Sequence, residues 1–268
     1  MRRIVVYCGT RNHYPRMVVA AKSLLCHTAV DRVFFLTEDD SFPEPLPDVV
    51  RVLNVSGQQW FPAGGANGES SWPYMAFIRL ALGKLMPDED TALYLDTDTL
   101  VLQNISPLWN VDLSGKLFGM VREDIGETPL ELMKAFHEGL GIDVFQSDNP
   151  RPAYCIRPYY NSGVMLMNLA ELRQSGMDDR LIHEIHTVKY PYPDQDAINL
   201  LCAGRIAELP QAYNVIRALA PDFPQDQVRI RHFCSDKPLW KSGLWQAYKR
   251  RSWEEVMGLQ ERLRGVYM

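Results

Sequence analysis

The sequence predicts an α/β domain in which helices flank a mostly parallel sheet. The first observation behind this fold class is the order of elements near the N-terminus, where apolar segments follow as strand, loop, helix, strand and strand. The second is size, because 268 residues with 46% hydrophobic side chains can fill one large core. No linker long enough to separate two domains interrupts the pattern, and we therefore expect a single domain.

The N-terminal elements follow from their hydrophobic patterns. Residues 4–8 form an apolar, β-branched run, which is typical of a buried strand. A polar loop comes next, and residues 17–25 then carry apolar side chains at helical spacing. Residues 32–36 and 49–55 are two further predicted strands. The stretch 58–72 is rich in glycine, alanine and serine, and its length is that of a functional loop.

The later elements follow from the same patterns. Residues 74–86 predict one continuous helix, because Pro73 suits its first turn and Pro87 ends it. A strand at 91–95 comes after this helix. Further strands are predicted at 116–121, 164–168 and 228–232. Further helices are predicted at 129–140, 177–188 and 252–264.

Composition and charge exclude several classes of protein. The formal net charge of −5 argues against a general nucleic-acid binder, which needs a basic face. No apolar run reaches the ~18 residues of a membrane helix, and the run 4–9 is too short for a secretion signal. The five cysteines are scattered and never spaced as C-x-x-C, which argues against a disulfide framework or a zinc ribbon. We expect a cytoplasmic protein with reduced thiols and at most peripheral membrane contact.

Two aspartates directly follow the predicted strand 91–95. Residues i and i+2 of an extended segment point to the same side, so Asp96 and Asp98 are expected to face one ligand. Ligands of open α/β sheets bind at the carboxyl ends of strands. Two hard oxygen donors there suit Mg²⁺ or Mn²⁺, which complete their coordination with substrate phosphates. The alternative is a turn that happens to contain two acids, which would repel each other.

A histidine and a lysine lie five residues apart at the end of the predicted strand 228–232. A neutral His232 completes a metal site that carboxylates begin, and Mn²⁺ tolerates such a mixed oxygen and nitrogen shell. Lys237 is a compact positive charge suited to a diphosphate. Taken alone, these two residues fit a satisfied surface histidine and a solvated lysine equally well.

Two short polar motifs complete the set of candidates. Asn161 and Ser162 precede the predicted strand 164–168 and offer hydrogen bonds that match sugar hydroxyls. Asp194 and Gln195 precede an apolar segment. They either cap the following helix or present a carboxylate and an amide to a sugar.

The four motifs together resemble family 8 of the glycosyltransferases, which includes glycogenin and bacterial lipopolysaccharide galactosyl- and glucosyltransferases. They are YLDTDTLV at 94–101, NSGV at 161–164, DQD at 194–196 and the His–Lys segment. The resemblance implies a single GT-A domain with a Rossmann-like mixed, mostly parallel sheet. It also implies a nucleotide-sugar half at 1–101, an acceptor-side half with the metal-binding histidine at 102–245, and a C-terminal helix at 246–268.

The resemblance also implies an activity. The enzyme is expected to transfer glucose or galactose from a UDP-hexose with retention of configuration, using Mn²⁺ or, as the alternative, Mg²⁺. The expected acceptor is a hydroxyl of a glycan, a lipid-linked saccharide or a protein. The implied metal ligands are Asp96, Asp98 and His232. The implied donor-binding residues are Thr10, Asn12, Tyr14, Arg79, Thr97, Asn161, Ser162 and Lys237. The implied residues near the reacting carbon are Asp194, Gln195 and Arg79.

The mechanism of retention and the identity of the reaction leave alternatives open at this point. Gln195 is a poor nucleophile, which favours attack by the acceptor from the face that UDP leaves. Glu123 and Asp124 are weaker candidates on the acceptor side. A phosphatase of the haloacid dehalogenase type is an alternative, because D-T-D-T also fits D-x-D-x-T. A non-catalytic nucleotide-sugar-binding protein is another.

Overall fold

A computed structural model of the chain describes residues 2–61, 65–68, 73–123, 158–234 and 241–267. Ten strands lie within these residues: β1 Ile4–Cys8, β2 Arg32–Thr37, β3 Val50–Asn54, β4 Thr91–Leu95, β5 Thr99–Val101, β6 Phe118–Arg122, β7 Tyr160–Asn168, β8 Ile206–Glu208, β9 Val215–Ile216 and β10 Ile230–His232. The helices there are α1 Tyr14–His27, α2 Tyr74–Phe77, α3 Leu82–Leu85, α4 Leu169–Gln174, α5 Met177–Thr187, α6 Pro193–Leu201, α7 Gly243–Arg250 and α8 Trp253–Tyr267.

The strands form two sheets. The larger has seven strands in the order β3-β2-β1-β4-β7-β6-β8. Its first four strands are parallel, β7 runs antiparallel to β4 and β6, and β8 is parallel to β6. The smaller sheet has the order β5-β10-β9, with β5 antiparallel to β10. The mixed, mostly parallel sheet is confirmed.

Both faces of the larger sheet are buried. Successive side chains of a strand point to opposite faces, and in β1 Ile4 and Val6 join one apolar cluster while Val5 and Tyr7 join the other. The first cluster is covered by α2 to α6, and the second by α1 and by Val256 of α8. A strand buried on both faces reads as a continuous apolar run, which is why the sequence pattern identified the parallel strands.

The helix predicted at 74–86 is not continuous in the structure. The segment 74–86 is divided into α2, a 3-10 helix Ile78–Ala81 and α3. The tighter turn carries Arg79, whose Nε donates to Ala76 O at 2.6 Å and whose side chain is buried. Apolar spacing cannot distinguish 3.0 from 3.6 residues per turn over four residues.

The start of β7 also differs from its prediction. The strand begins at Tyr160, so that Asn161 and Ser162 lie inside it and not in a turn before it. Their polar groups are satisfied by the side chains of Asp194 and Gln195 on α6. A buried strand therefore tolerates two polar residues there.

The other predicted elements have mixed outcomes. The predicted helices at 177–188 and 252–264 are confirmed as α5 and α8, while the predicted helix at 129–140 lies outside the described residues. The division of the chain at residues 101 and 245 stays a prediction. Within the part of the chain that the structure describes, no helix has the length and apolar character needed to cross a membrane.

Candidate functional site

A cleft of about 600 Å³ opens beside the carboxyl ends of β1 and β4. Its lining also includes the start of β7, the end of β10 and the first turn of α6. Parallel strands that end at the same edge of a sheet create such a crevice, and ligands of open α/β sheets bind there. The predicted residues that line it are Thr10, Arg79, Asp96, Thr97, Asp98, Glu123, Asn161, Ser162, Asp194, Gln195 and His232.

The two predicted aspartates and the predicted histidine come together at the floor of this cleft. Asp96 and Asp98 lie in the connection between β4 and β5, and β10 pairs with β5 so that His232 is opposite Thr99. His232 Nε2 is 3.3 Å from Asp98 Oδ1 and 3.8 Å from Asp96 Oδ2. One ligand atom of each residue lies within 4.8 Å of the other two, which is a geometry able to hold a metal ion.

The surroundings of His232 fit a divalent cation. Its side chain is buried, and Nδ1 lies 3.0 Å from Asn214 Oδ1. A carbonyl oxygen can only accept, so this contact assigns the proton of the neutral ring to Nδ1. Nε2 is buried and makes no hydrogen bond with the described residues. A nitrogen lone pair and carboxylate oxygens that face a common point are the donors that Mn²⁺ accepts.

Gly163 allows β7 to approach the three candidate ligands. A Cβ at this position would lie 2.3 Å from His232 Cε1 and 2.9 Å from Asp96 Oδ2. The Gly163 carbonyl also accepts a hydrogen bond from Asp96 N at 2.8 Å. Any side chain here would displace a ligand, so the glycine is required by the close approach.

Arg79 supplies the counter-charge of the site. Its guanidinium pairs with Asp96 Oδ1 at 2.9 Å and with Asp194 Oδ2 at 3.4 Å. It also lies over the ring of Tyr94, whose hydroxyl donates to Asp96 Oδ1 at 2.7 Å. Because Oδ1 of Asp96 is occupied by these two donors, its Oδ2 is the oxygen that faces His232. The arginine thus orients one metal-ligand candidate and neutralises charge on two carboxylates.

The ionisation of the site follows from burial and charge. Burial opposes a charged Asp98, but attraction to His232 outweighs it and lowers the pKa of this carboxyl. Burial likewise opposes a charged His232, and attraction to Asp98 and Asp96 raises the pKa of the ring. Burial raises the pKa of Asp194, and attraction to Arg79 opposes this increase. The lowered pKa of Asp98 holds this carboxyl in its anionic form, which is the form that binds a cation.

Gln195 and Asn161 are fixed by a buried hydrogen-bond network. Gln195 Nε2 donates to Glu123 Oε2 at 2.7 Å and to the Tyr159 hydroxyl at 3.0 Å. Its Oε1 accepts from Ser162 N at 2.9 Å. Asn161 Nδ2 donates to the same oxygens, Glu123 Oε2 at 3.2 Å and Gln195 Oε1 at 3.1 Å. Helix capping, the other interpretation of Gln195, is wrong, because its side chain points to β7.

The N-terminal loop brings only part of its predicted residues to the cleft. Thr10 lines it, and its hydroxyl lies 2.8 Å from His13 Nδ1. Asn12 is exposed and is not part of the lining. Tyr14 is buried beside the cleft, where its hydroxyl donates to Asp39 Oδ2 at 2.9 Å. Lys237 and Asp124 lie outside the described residues.

Several lining residues escaped the sequence analysis. They are Cys8, His13, Arg16, Met75, Tyr94 and Tyr192. The only signal for Cys8 and Tyr94 was their position near the end of a predicted strand, where they resembled core residues. Asn214, which holds His232, belongs to no motif at all.

Comparison with known proteins gives this site a family. The model of glycosyl transferase family 8 matches residues 4–243. The chain belongs to glycosyl transferase family 8. Membership of this family supports a role in glycosyl transfer, and it contradicts the haloacid dehalogenase interpretation of the D-x-D-x-T pattern.

Curated relatives of this family member are distant in sequence. It is 23% identical over 178 residues to a putative glycosyltransferase of Haemophilus influenzae, covering 61% of this chain and 48% of the relative. It is 28% identical over 148 residues to the lipopolysaccharide 1,2-glucosyltransferase of Escherichia coli, covering 54% of this chain and 39% of the relative. The chain thus spans about half the length of the Haemophilus relative and 39% of the length of the Escherichia relative.

Solved structures share its fold. The apo form of the glycosyltransferase GlyE of Streptococcus pneumoniae has a TM-score of 0.68 at 18% identity, with 99% of this chain and 64% of that chain covered. The galactosyltransferase LgtC, solved with donor and acceptor sugar analogues, has a TM-score of 0.59 at 20% identity, with 96% and 99% covered. At such identities these likenesses support the GT-A fold of the chain and nothing finer.

Proposed function

We propose that the chain is a retaining hexosyltransferase that uses a UDP-sugar, with glucose or galactose as the sugar. The observation that carries this proposal is the cluster of Asp96, Asp98 and His232 at the floor of the cleft. The acceptor is the hydroxyl of a glycan, a lipid-linked saccharide or a protein. The predicted cytoplasmic location stays a prediction.

The three clustered residues would hold Mn²⁺, or Mg²⁺ as the alternative. When bound, the cation supplies Lewis-acid stabilisation of the charge that develops on the departing diphosphate. Asp96 presents Oδ2 because Arg79 and Tyr94 occupy Oδ1. The predicted roles of Thr10, Asn12, Tyr14 and Thr97 toward the nucleotide, and of Lys237 toward the diphosphate, stand as parts of this proposal.

The residues around the reacting carbon support retention by attack from the face that UDP leaves. Gln195 is neutral, and both atoms of its amide are engaged by Glu123, Tyr159 and Ser162. It therefore holds the site in shape and is not available as a nucleophile. Asp194 is paired with Arg79 and accepts from the Ser162 hydroxyl at 3.1 Å. We assign it the orientation of the sugar and the stabilisation of positive charge at the anomeric carbon.

The deciding experiment is a donor screen with the purified protein. With Mn²⁺ present, we expect one UDP-hexose to release UDP by slow hydrolysis without an acceptor, and a chelator to stop the release. Asp98→Asn should lower the rate about 100-fold or more, because it removes an anionic ligand candidate. The control is Asp112→Asn, an exposed aspartate outside the cleft, which should retain the rate.

Two outcomes would contradict the proposal. If Asp98→Asn released UDP as fast as the unchanged protein, the metal site would have no part in the reaction. If UDP bound but no UDP-sugar was transferred or hydrolysed, the chain would be a non-catalytic nucleotide-sugar-binding protein.

A further inference from the structure

We propose that Asn214 is a positioning residue that holds His232 with its Nε2 lone pair facing Asp96 and Asp98. The inference rests on the proposed function in one respect, because it supposes that these three residues receive a divalent cation. Asn214 lies outside every motif of the sequence and does not line the cleft.

Asn214 is placed behind His232 by the smaller sheet. It directly precedes β9, which pairs in parallel with β10 so that Ile216 is opposite His232. Only 2% of its surface is exposed. Its Oδ1 lies 3.0 Å from His232 Nδ1, and its Nδ2 lies 2.8 Å from Asn161 Oδ1. The amide thus bridges the imidazole and the start of β7.

The orientation of this amide follows from a backbone group. Gly163 N can only donate, and it lies 2.9 Å from Asn161 Oδ1, which identifies that atom as the acceptor. Since Asn161 Oδ1 cannot donate, the atom of Asn214 that faces it is Nδ2. The oxygen of Asn214 therefore faces His232, and the ring nitrogen that faces the oxygen carries the proton.

The hydrogen bond from Asn161 to Glu123 runs in the same direction as the bond from Asn214 to Asn161. Asn161 Nδ2 donates to Glu123 Oε2, a carboxylate oxygen in the lining of the cleft. Glu123, Asn161, Asn214 and His232 are linked in this order, and each donor faces an acceptor. Reversing any amide would set two donors or two acceptors against each other in a buried space. The network therefore selects one tautomer of His232.

Asn67 is a second buried asparagine and serves as a control that distinguishes positioning of His232 from a purely structural role. Asn67 is also 2% exposed and also uses both ends of its amide. It donates to the carbonyls of Ile185 and Val188 and accepts from Tyr190 N. It does not line the cleft and contacts none of the candidate ligands.

The experiment compares Asn214→Leu, Asn214→Asp and the control Asn67→Leu. Mn²⁺ affinity is measured from the electron paramagnetic resonance signal of free Mn²⁺. The tautomer of His232 is measured by ¹⁵N nuclear magnetic resonance of the histidine-labelled, metal-free protein at alkaline pH, with the signal assigned by His232→Gln. Loss of a partner that orients a histidine ligand typically weakens metal binding about 10- to 100-fold.

We expect the unchanged protein to show the Nδ1–H tautomer. Asn214→Leu should lose this single tautomer and bind Mn²⁺ about 10- to 100-fold more weakly. Asn214→Asp retains an acceptor for the Nδ1 proton and should retain the tautomer, although its second oxygen faces Asn161 Oδ1. If the leucine variant does not fold, the tautomer of the unchanged protein still decides the test. Asn67→Leu should change neither quantity.

The inference would be overturned by an Nε2–H tautomer in the unchanged protein, or by a folded Asn214→Leu with unaltered tautomer and affinity. An equal loss of affinity in Asn67→Leu would also overturn it. Failure of the unchanged protein to bind Mn²⁺ would instead contradict the metal site of the proposed function, and the tautomer would still decide the role of Asn214.

Discussion

At the scale of single residues, the missing side chain of Gly163 lets β7 approach the candidate metal ligands His232 and Asp96. Gly163→Ala should weaken Mn²⁺ binding about tenfold or more, because its Cβ would lie 2.3 Å from His232 Cε1. Overpacking of this kind also costs about 1–3 kcal/mol in the free energy of unfolding. Mn²⁺ titration and urea unfolding measure the two effects.

Gly119 on the neighbouring strand β6 provides the control for that substitution. A Cβ there would meet the end of the Leu209 side chain at 3.2 Å, and this flexible group can move aside. Gly119→Ala should therefore leave Mn²⁺ affinity unchanged. If both alanine variants weakened binding equally, the close approach of Gly163 would not be the cause.

The residues of the site differ in how far the sequence could predict them. Asp96 and Asp98 were predicted together because their i, i+2 spacing and the preceding strand are local properties. Asn161 was predicted from its motif, but its contacts with Glu123 and Asn214 were not. These contacts join segments that only the folded sheet brings together, and no spacing in the sequence records them.

At the scale of elements, short segments were the ones that pattern could not predict. β5 has three residues and β9 has two, so neither is long enough to show a period of two. Long apolar strands such as β1 and β2 were predicted within one residue of their bounds. The break around Arg79 in the helix at 74–86 was missed because apolar spacing over four residues does not distinguish a 3-10 turn from an α-helical one.

The first turn of α6 makes a pH-dependent contribution to stability through Asp196. This carboxyl accepts from the hydroxyl of Tyr159, which directly precedes β7, and from N of Tyr192, which directly precedes α6. Burial raises its pKa to about 7, and the nearby Asp194 and Glu123 add to the increase. The folded state therefore holds a proton that the unfolded chain releases at lower pH. Stability from this group is complete at acid pH and is lost as the pH rises through 7.

Replacing Asp196 tests this contribution. Asp196→Asn retains one acceptor oxygen in place of two, so it loses one of the two hydrogen bonds at every pH. It carries no charge, so its stability should fall less between pH 5 and pH 8 than that of the unchanged protein. The difference is on the order of 2–3 kcal/mol, measured by urea unfolding at both pH values. Parallel pH profiles of the two proteins would show that Asp196 does not titrate in this range.

At the scale of the whole molecule, side-chain hydrogen bonds join the two C-terminal helices to α1. Gln260 of α8 donates to Leu25 O and Thr28 O, both at 2.6 Å, at the carboxyl end of α1. Lys22 of α1 donates to Arg251 O between the two C-terminal helices. Helix ends leave carbonyls without intrahelical partners, and here a side chain of a distant element satisfies them.

Gln260→Ala should therefore destabilise the fold without altering the site. Leaving buried carbonyls without a donor costs about 1–3 kcal/mol in the free energy of unfolding. Urea unfolding measures this loss, and Mn²⁺ affinity should stay unchanged. Gln174→Ala, at an exposed position on α4, should change stability by less than about 0.5 kcal/mol. A loss of Mn²⁺ affinity in Gln260→Ala would contradict this separation of anchor and site.

The pairing of β5 with β10 has a consequence for synthesis on the ribosome. Among the described residues β5 is an edge strand whose one neighbour is β10, and that neighbour carries His232. Asp98 emerges 134 residues earlier than His232, since 232 − 98 = 134. A nascent chain that has exposed its acid pair has no third ligand until these further residues have been made. The three-ligand site thus becomes complete only when β10, the last of the ten described strands, has been synthesised.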